Sequence, residues 1–581
     1  MTGPRLFGAG SVRVALALAV LAGGAGASAI AALGAPAQIA EEGAGALVRG
    51  EAQAAVLNYT EALKDTSLPN DRRAAILNDR GVANIKLGQT RQAFEDFNLA
   101  AQLFPEFAAV YNNRGNLLLS LGLPQEAIKD FDRSIVLAPG YAAAYNNRAG
   151  AYMRLGQIDE AIEDYTHSVK LLPSNPAPLS GRGLAHLQRS RPHAAIRDFS
   201  RAVKADARFA AGYRNMAEAK LAVEKFDEAI EDLSRSIAFD VNHAESYVLR
   251  GRAYLAVRNT ASAIKDFSKA AELDPRSAAA FAERGFAYSL VEATEEAFAD
   301  LNKAIEIDPR SGLAFAYRAY AYKRSDQIDV ALRDIEVAEK LAPNAPEVYW
   351  VKAEIEEAQG QTQQAIADLK KAQSLRPSYR DARDSLARLG AAPSQSVETE
   401  VAGAGVDTWR VVARGSQYFA VDDRYPRLSV PLEMMGEGKP KLIEWQLKEA
   451  PFDGIGTLRF HAGKLSGKKG GEDVELMAVL DIAAGQVVAI EPHKQGDKVS
   501  KWTWDNGKVT VASVDGVTDE LDLRMGRGNE VAGSAPGRRY STSGQPGGPG
   551  WVPWDSPFGY SQPPPKRVKK KPKTLFDLLF N

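Results

Sequence analysis

The sequence of 581 residues contains no cysteine. Without thiol groups the chain cannot form disulfides, cannot use a cysteine nucleophile and cannot ligate zinc through sulfur. The chain also lacks an excess of charge of either sign, since 72 basic residues are balanced by 73 acidic ones. A protein that coats nucleic acid is usually strongly basic, so we expect no nucleic-acid partner.

Recognisable catalytic and metal-binding motifs are missing as well. There is no GxSxG, HExxH or calcium-loop pattern, and segment 463–469 is one residue too short for a phosphate-binding loop. The six histidines are scattered, whereas a metal site needs ligands that converge at recognisable spacing. We therefore predict no catalytic residue, no metal and no cofactor.

What the sequence does contain is a repeat of 34 residues between Ala74 and Tyr379. An alanine recurs at this interval, and an aspartate follows each alanine three residues later. The alanines are Ala93, Ala127, Ala161, Ala195, Ala229, Ala263, Ala297, Ala331 and Ala365, and the aspartates are Asp96, Asp130, Asp164, Asp198, Asp232, Asp266, Asp300, Asp334 and Asp368. A fixed period of this size indicates one supersecondary unit stacked many times.

Residues 108–141 show what the repeating unit is. Apolar residues recur at helical spacing from Val110 to Leu121 and again from Gln125 to Leu137. Gly122 ends the first helix and Pro139 follows the second, so the pattern predicts a helical hairpin. Small residues at the eighth place of each repeat allow the two helices to approach closely: Gly81, Gly115, Ala149, Gly183, Ala217, Gly251, Gly285, Ala319 and Ala353.

The small eighth residue, the alanine at place 20, an aromatic or aliphatic residue at place 24 and a proline at place 32 resemble the tetratricopeptide repeat (TPR) family. The resemblance covers rather more than half of the chain. It implies a mainly α fold, a TPR helical-hairpin solenoid whose function is to bind other proteins. In five repeats another residue replaces the turn glycine, and looser turns are expected there: Ser190, Glu224, Arg258, Glu292 and Asp326.

The sequence around the repeats changes character several times. Runs typical of short strands replace the helical period after the repeats, and two hairpin turns are expected at 505–507 and 515–516. We therefore predict a small antiparallel β domain, followed by a disordered Pro/Gly-rich tail. The predicted divisions are a degenerate TPR (41–73), nine repeats (74–379), a capping helix (380–390), a linker (391–405), the β-rich domain (406–525), the disordered segment (526–565) and a docking tail (566–581).

Residues 1–37 resemble an export signal. Arg5 and Arg13 form a positive segment before the apolar run Val14–Ala22, and small-residue cleavage candidates follow at 27–29 and 35–37. Cleavage would give a periplasmic or secreted protein, similar to the periplasmic TPR proteins of Gram-negative bacteria. The alternative is an uncleaved segment that anchors the protein in the inner membrane, facing the periplasm.

The TPR resemblance implies that the first helix of each repeat lines a concave groove, with the fifth, sixth and ninth places facing inward. Asparagines occupy many of these places in the N-terminal half: Asn78, Asn112, Asn113, Asn116, Asn146 and Asn147, with Asn215 further on. Because an amide both donates and accepts, such a row can bind the backbone of an extended peptide segment. The alternative is that these asparagines only solvate the groove.

Arginine precedes the small eighth residue in seven repeats, and each of these repeats has its aspartate sixteen residues later: Arg80, Arg114, Arg148, Arg182, Arg250, Arg284 and Arg318. A basic stripe for an anionic ligand is one interpretation. We prefer an Arg–Asp ion pair between the two helices of a repeat, because the charges match in number.

The last residues combine the basic cluster Lys566–Lys573 with apolar residues that are unsuited to a free tail: Leu575, Phe576, Leu578, Leu579 and Phe580. Their docking site could be a partner protein, an anionic membrane surface or the groove of the same chain. We predict a non-catalytic scaffold or adaptor that assembles a cell-envelope complex. The alternative is an envelope enzyme or glycan- or peptide-binding protein whose β domain acts on a substrate recruited by the repeats.

Overall fold

The computed structural model describes residues 35–391 except 377–378, and residues 399–523 with short gaps. The chain divides into two compact units, and their described parts are residues 35–185 and residues 186–523. Most of the predicted export signal, part of the predicted linker, the Pro/Gly-rich segment and the docking tail lie outside the described residues. Among the described residues, no helix combines the length and the apolar character needed to cross a bilayer.

The first unit consists of helices paired into hairpins. Its helices are α1 (Ala35–Val48), α2 (Ala52–Ala62), α3 (Asn70–Lys86), α4 (Thr90–Leu103), α5 (Ala108–Ser120), α6 (Pro124–Leu137), α7 (Ala142–Leu155), α8 (Ile158–Leu171) and most of α9 (Pro176–Gln188).

The eighth place of the repeat shows why small residues are required. A Cβ atom added to Gly81 would lie 2.6 Å from the ring of Phe97, and one added to Gly115 would lie 2.7 Å from the ring of Phe131. Both rings are fully buried. The helices of a hairpin therefore meet at a glycine on one side and an aromatic ring on the other, as the sequence predicts.

The second unit continues with hairpins and adds the β domain. Its helices are α10 (Pro192–Ala205), α11 (Ala210–Ala222), α12 (Phe226–Phe239), α13 (Ala244–Ala256), α14 (Thr260–Leu273), α15 (Ala278–Leu290), α16 (Thr294–Ile307), α17 (Gly312–Arg324), α18 (Ile328–Leu341), α19 (Pro346–Ala358), α20 (Thr362–Leu375) and α21 (Arg380–Arg388). The prediction of a helical-hairpin solenoid is confirmed.

The turns without glycine are not looser than the others, so that expectation is wrong. Gly88, Gly122 and Gly156 have φ angles of 74°, 76° and 74°. The five residues that replace glycine, Ser190, Glu224, Arg258, Glu292 and Asp326, also adopt positive φ angles, between 54° and 64°. The packing of the adjoining helices imposes the same left-handed turn, although it is strained for a residue with a Cβ atom.

The β domain is antiparallel, as predicted, and its strands form three sheets with the orders β1-β2-β3-β4, β5-β6-β7-β8-β9 and β10-β11-β12. The strands are β1 (Thr399–Glu400), β2 (Arg410–Arg414), β3 (Gln417–Val421), β4 (Ser429–Pro431), β5 (Lys441–Leu447), β6 (Ile455–Leu465), β7 (Glu472–Asp481), β8 (Gln486–Gln495), β9 (Lys498–Val499), β10 (Lys501–Asp505), β11 (Lys508–Ala512) and β12 (Thr518–Asp522). The two predicted hairpins are the β10–β11 and β11–β12 pairs.

The β structure begins earlier than the sequence suggests. Thr399 and Glu400, within the range assigned to the linker, pair with Ala413 and Val412. Ala404 is buried, and its carbonyl oxygen accepts a hydrogen bond from the backbone N–H of Leu442 at 2.7 Å. This part of the assigned linker is thus held by backbone pairing with residues that follow it in the chain.

Aromatic residues form the centre of the main core of the β domain. Trp409 is 1% exposed, and its ring lies 5.0 Å from that of Trp445 and 6.0 Å from that of Tyr425. Phe460 and Val411 are fully buried in the same cluster. Burying apolar surface in this core stabilises the domain, by about 25 cal/mol for each Å² removed from water.

Candidate peptide-binding groove

The first helices of successive hairpins contact one another in the first unit, α3 with α5 and α5 with α7. The asparagines of the fifth and sixth places lie at these contacts. Asn113 on α5 donates from Nδ2 to Oδ1 of Asn78 on α3 at 2.8 Å. Asn147 on α7 donates from Nδ2 to Oδ1 of Asn112 at 2.8 Å. Adjacent helical residues point about 100° apart, so one amide of each pair faces the preceding helix and the other the following helix.

Within each helix the neighbouring amides are also joined. Asn146 donates to Asn147 at 3.2 Å and Asn112 donates to Asn113 at 3.3 Å. The five residues Asn78, Asn112, Asn113, Asn146 and Asn147, here called the amide ladder, form one continuous hydrogen-bonded row across three repeats.

The members of the amide ladder differ in accessibility. Asn78, Asn112 and Asn113 are buried, with exposures of 1%, 4% and 4%, whereas Asn146 and Asn147 are half-buried. Asn112 also donates from Nδ2 to the hydroxyl of Tyr141 at 3.4 Å. Each amide carries two N–H groups and an oxygen with two lone pairs, so the half-buried Asn146 and Asn147 keep capacity for a ligand. Their role in peptide binding stays a prediction.

The other two predicted groove residues are placed differently. Asn116, on α5, is half-buried and lies one turn from the amide ladder. Asn215 belongs to the second unit, where it is buried on α11. The structure therefore brings together five of the seven predicted residues, while Asn116 lies close to them on the same helix.

Asp79 ends the amide ladder and occupies one of the inward-facing places, although it was not among the asparagines predicted to bind a peptide. Its Oδ1 accepts a hydrogen bond from Nδ2 of Asn78 at 3.1 Å. Burial raises the pKa of Asp79 to about 7, although the bond from Asn78 acts in the opposite direction. Its place in the sequence already indicates this position, since Asp79 occupies the same sixth place as Asn113 and Asn147.

Six of the seven predicted Arg–Asp ion pairs are confirmed, three in each unit. Arg80, Arg114 and Arg148 contact Asp96, Asp130 and Asp164, each at 2.6 Å. Arg250, Arg284 and Arg318 contact Asp266, Asp300 and Asp334 at 2.7, 2.6 and 2.6 Å. These arginines also reach the second helix of the preceding repeat, as Arg114 does when it donates to Oδ1 of Asn98 at 2.7 Å. They stabilise the stacking of repeats and are not a free basic stripe.

In the later repeats of the second unit, four inner places are occupied by aromatic side chains that pack on one another, and charged residues such as Arg252 and Glu283 occupy others. The rings of Phe286 and Tyr317 are stacked 4.4 Å apart, and those of Tyr320 and Trp350 are 5.2 Å apart. Tyr317, Tyr320 and Trp350 are buried at 6–7% exposure. These aromatic inner places are therefore filled by their own side chains.

The capping helix α21 also contacts earlier repeats of the second unit. Arg258 pairs with Asp381 at 2.8 Å, and Arg380 donates to the carbonyl oxygen of Ala256 at 3.1 Å. Arg383 lies 4.0 Å from Glu224. These contacts join α21 to the turns that follow α11 and α13.

The β domain contacts the helices of the second unit through buried charged groups. Glu433 accepts hydrogen bonds from the backbone N–H groups of His193 and Ala194 at 2.8 and 3.1 Å. Burial acts to raise the pKa of Glu433, but the bonds from His193 and the charge of Arg197 bring it below its ordinary value. Nearby, burial raises the pKa of Glu491 to about 8, although Arg197 lies 3.5 Å away.

His461 and Asp481 of the β domain lie apart and do not form a common site. His461 pairs with Glu475 across β6 and β7, whereas Asp481 pairs with Ile455, six residues before His461 on β6. Six residues of a strand separate them by about 20 Å. In the described part of the chain, no group of three or more His, Asp or Glu residues could hold a metal ion.

Helical hairpins with a small eighth residue, stacked through inter-repeat ion pairs, define a repeat solenoid protein. Family models described as tetratricopeptide repeat match residues 108–141, 142–175, 244–277 and 346–379. The chain is therefore a tetratricopeptide repeat protein, and arrays of this class are scaffolds for protein–protein interaction.

Solved structures similar to this chain include two that are described as TPR proteins. YrrB, described as a TPR protein with an unusual peptide-binding site, is 22% identical over 32% of this chain and 96% of its own, with a TM-score of 0.29. A MamA protein is 23% identical over 30% and 96%, with a TM-score of 0.28. A tetratricopeptide repeat protein from Parabacteroides merdae is 20% identical over 43% and 97%, with a TM-score of 0.35. No curated protein matches the chain.

Proposed function

We propose that this protein is a non-catalytic envelope scaffold whose first unit binds an extended segment of a partner protein. The observation that carries the proposal is the amide ladder, which is continuous across α3, α5 and α7. Such a row offers donors and acceptors at intervals along a groove, and an extended backbone presents both kinds of group along its length.

The difference between the inner faces of the two units supports placing the peptide on the first. In the second unit, Phe286, Tyr317, Tyr320 and Trp350 pack on one another, and α21 makes its contacts with the turns. In the first unit the corresponding places carry asparagines, and the half-buried Asn146 and Asn147 can form further hydrogen bonds. The proposal therefore assigns recognition to the N-terminal repeats and a more rigid, supporting role to the later ones.

The proposed localisation in the cell envelope rests on the sequence. The export-signal pattern of residues 1–37 favours a periplasmic or secreted protein, with an inner-membrane anchor as the alternative. The basic and apolar tail, 566–581, supplies a second docking element, for a partner of an envelope complex or for an anionic membrane surface. Mass spectrometry of the mature N-terminus distinguishes a cleaved signal from a retained anchor.

The test of peptide recognition is a crosslinking pull-down from the native envelope. The chain is compared with a variant in which the accessible amides are removed, Asn116→Ala with Asn146→Ala. The control is Asn344→Ala, which removes an exposed asparagine outside the groove. Loss of the main partner in the double variant only is expected. Retention by the double variant, with loss on truncation at Pro565, would move recognition to the tail.

A further inference from the structure

We infer that Asp79 binds an ammonium group, either the amino terminus or a lysine side chain of the extended segment, at one end of the amide ladder. This inference rests on the proposed function, because it specifies which chemical group the peptide presents at that end. Three features support it: the direction of the hydrogen bonds, the lack of an ion-pair partner of Asp79 among the described residues, and a buried hydroxyl group close to it.

Every hydrogen bond of the amide ladder runs in the same direction. Nδ2 of each asparagine donates to the next residue, in the order Asn146, Asn147, Asn112, Asn113, Asn78 and finally Asp79. An ionised carboxylate only accepts, so it is the natural end of such a row, and aligned bonds polarise one another. The row therefore begins at a half-buried amide and ends at a carboxylate.

Two basic residues on the same helix, Arg80 and Lys86, are directed elsewhere. Arg80, the next residue, pairs with Asp96 at 2.6 Å. Lys86 donates to the carbonyl oxygen of Leu47 at 3.3 Å. Within the part of the chain that the structure describes, no Lys, Arg or His forms an ion pair with Asp79. This carboxylate thus differs from repeat aspartates such as Asp96 and Asp130, which have arginine partners.

The surroundings of Asp79 favour a positively charged ligand. Burial raises the pKa of the carboxyl group to about 7. The hydroxyl of Tyr59 is buried and has no hydrogen-bond partner among the described residues. Burial and then the charge of Asp79 raise the pKa of Tyr59, which keeps the hydroxyl protonated near the carboxylate. An ammonium group would supply the missing positive charge and donate to the free Oδ2 of Asp79.

The half-buried position of Asp79 leaves it accessible to a ligand. Removing the carboxylate therefore gives a specific test. Asp79→Asn keeps the size and shape of the side chain and can still accept the bond from Asn78, so the variant should fold. Glu106→Gln is the matched control, because it removes one negative charge from an exposed loop residue of the same repeat.

Three alanine–serine decapeptides labelled at the C-terminus serve as probes in fluorescence anisotropy with the full chain at pH 7.5. The first has a free amino terminus and no lysine, the second is acetylated with one central lysine, and the third is acetylated without an amine. We expect one of the amine-bearing peptides to bind about tenfold more tightly than the third. Asp79→Asn should remove this preference without changing binding of the third peptide, and Glu106→Gln should retain it.

The outcomes separate the two proposals. If the third peptide binds as tightly as the other two, or if Asp79→Asn keeps the preference, the inference about Asp79 is overturned while the proposed function stands. If no peptide binds, both fail. The peptide that shows the preference identifies the source of the ammonium group. In addition, methylammonium chloride should raise the melting temperature of the wild type at pH 8 relative to tetramethylammonium chloride, and should not do so in Asp79→Asn.

Discussion

The carboxylate of Glu433 caps the helix that contains His193, although 240 residues separate the two along the chain. Oε1 accepts a hydrogen bond from the backbone N–H of His193 at 2.8 Å and lies 2.9 Å from the ring nitrogen Nδ1 of the same residue. Oε2 accepts a hydrogen bond from the backbone N–H of Ala194 at 3.1 Å. These N–H groups belong to the first turn of α10, which has no partner of its own for them. A residue of the β domain therefore supplies the cap that the local sequence lacks.

Replacing the cap should destabilise the second unit. Glu433→Gln removes the negative charge at the helix terminus and one of the two acceptor oxygens, so a loss of about 1–3 kcal/mol in the free energy of unfolding is expected. Urea unfolding followed by far-UV circular dichroism measures it. Glu400→Gln, at an exposed position of β1, is the control. An equal effect of the two changes would contradict the capping role.

The buried carboxyl group of Glu491 should make the stability of the second unit depend on pH. Burial raises its pKa to about 8, above the ordinary value of 4.5, so the folded state holds a proton that the unfolded state has lost. Stability is therefore expected to fall as the pH rises from about 4.5 to 8. Glu491→Gln should be more stable than the wild type by at least about 1 kcal/mol at pH 8.5 and similar to it at pH 4. A difference that does not change with pH would disprove this account.

Removing one partner of an inter-helix ion pair should lower the free energy of unfolding strongly, whereas replacing both partners with apolar residues should lower it much less. Arg284→Ala leaves Asp300, which is 7% exposed, without its partner, and a loss of about 3–5 kcal/mol is expected. The double variant Arg284→Met with Asp300→Leu should recover most of this loss, because no charge is then left buried. Arg310→Ala, at an exposed residue, is the control for loss of a positive charge. Chemical denaturation of the four proteins measures the differences.

The strained turns offer a stability gain that depends on the side chain present. Asp326 has a φ angle of 58° and is exposed, and its side chain forms no hydrogen bond or ion pair with another described residue. Asp326→Gly should therefore stabilise the chain by about 1 kcal/mol. Arg258 has a φ angle of 60° but pairs with Asp381. Arg258→Gly should gain less, because it also loses this contact with α21. Equal gains in melting temperature would show that the contact contributes nothing.

The sequence by itself determined the features that are local or periodic. The 34-residue period placed the helical hairpins and aligned the arginines with the aspartates, since residues sixteen apart belong to the two helices of one hairpin. The segment around Asp505 to Lys508 likewise indicated a hairpin, because a tight turn between alternating strands is a short-range signal. Asn112 and Asn113 were placed on the inner face through the resemblance to TPR proteins.

Only the tertiary structure decided which polar groups meet. It paired Asn113 with Asn78 and left Asp79 as the end of the amide ladder, because the side chains of one helix reach the next only after the hairpins stack. It brought Glu433 to His193 and set the left-handed turn at Arg258 against α21. Such contacts join residues far apart in sequence, and their partners depend on how helices and sheets pack, which no local pattern of residues encodes.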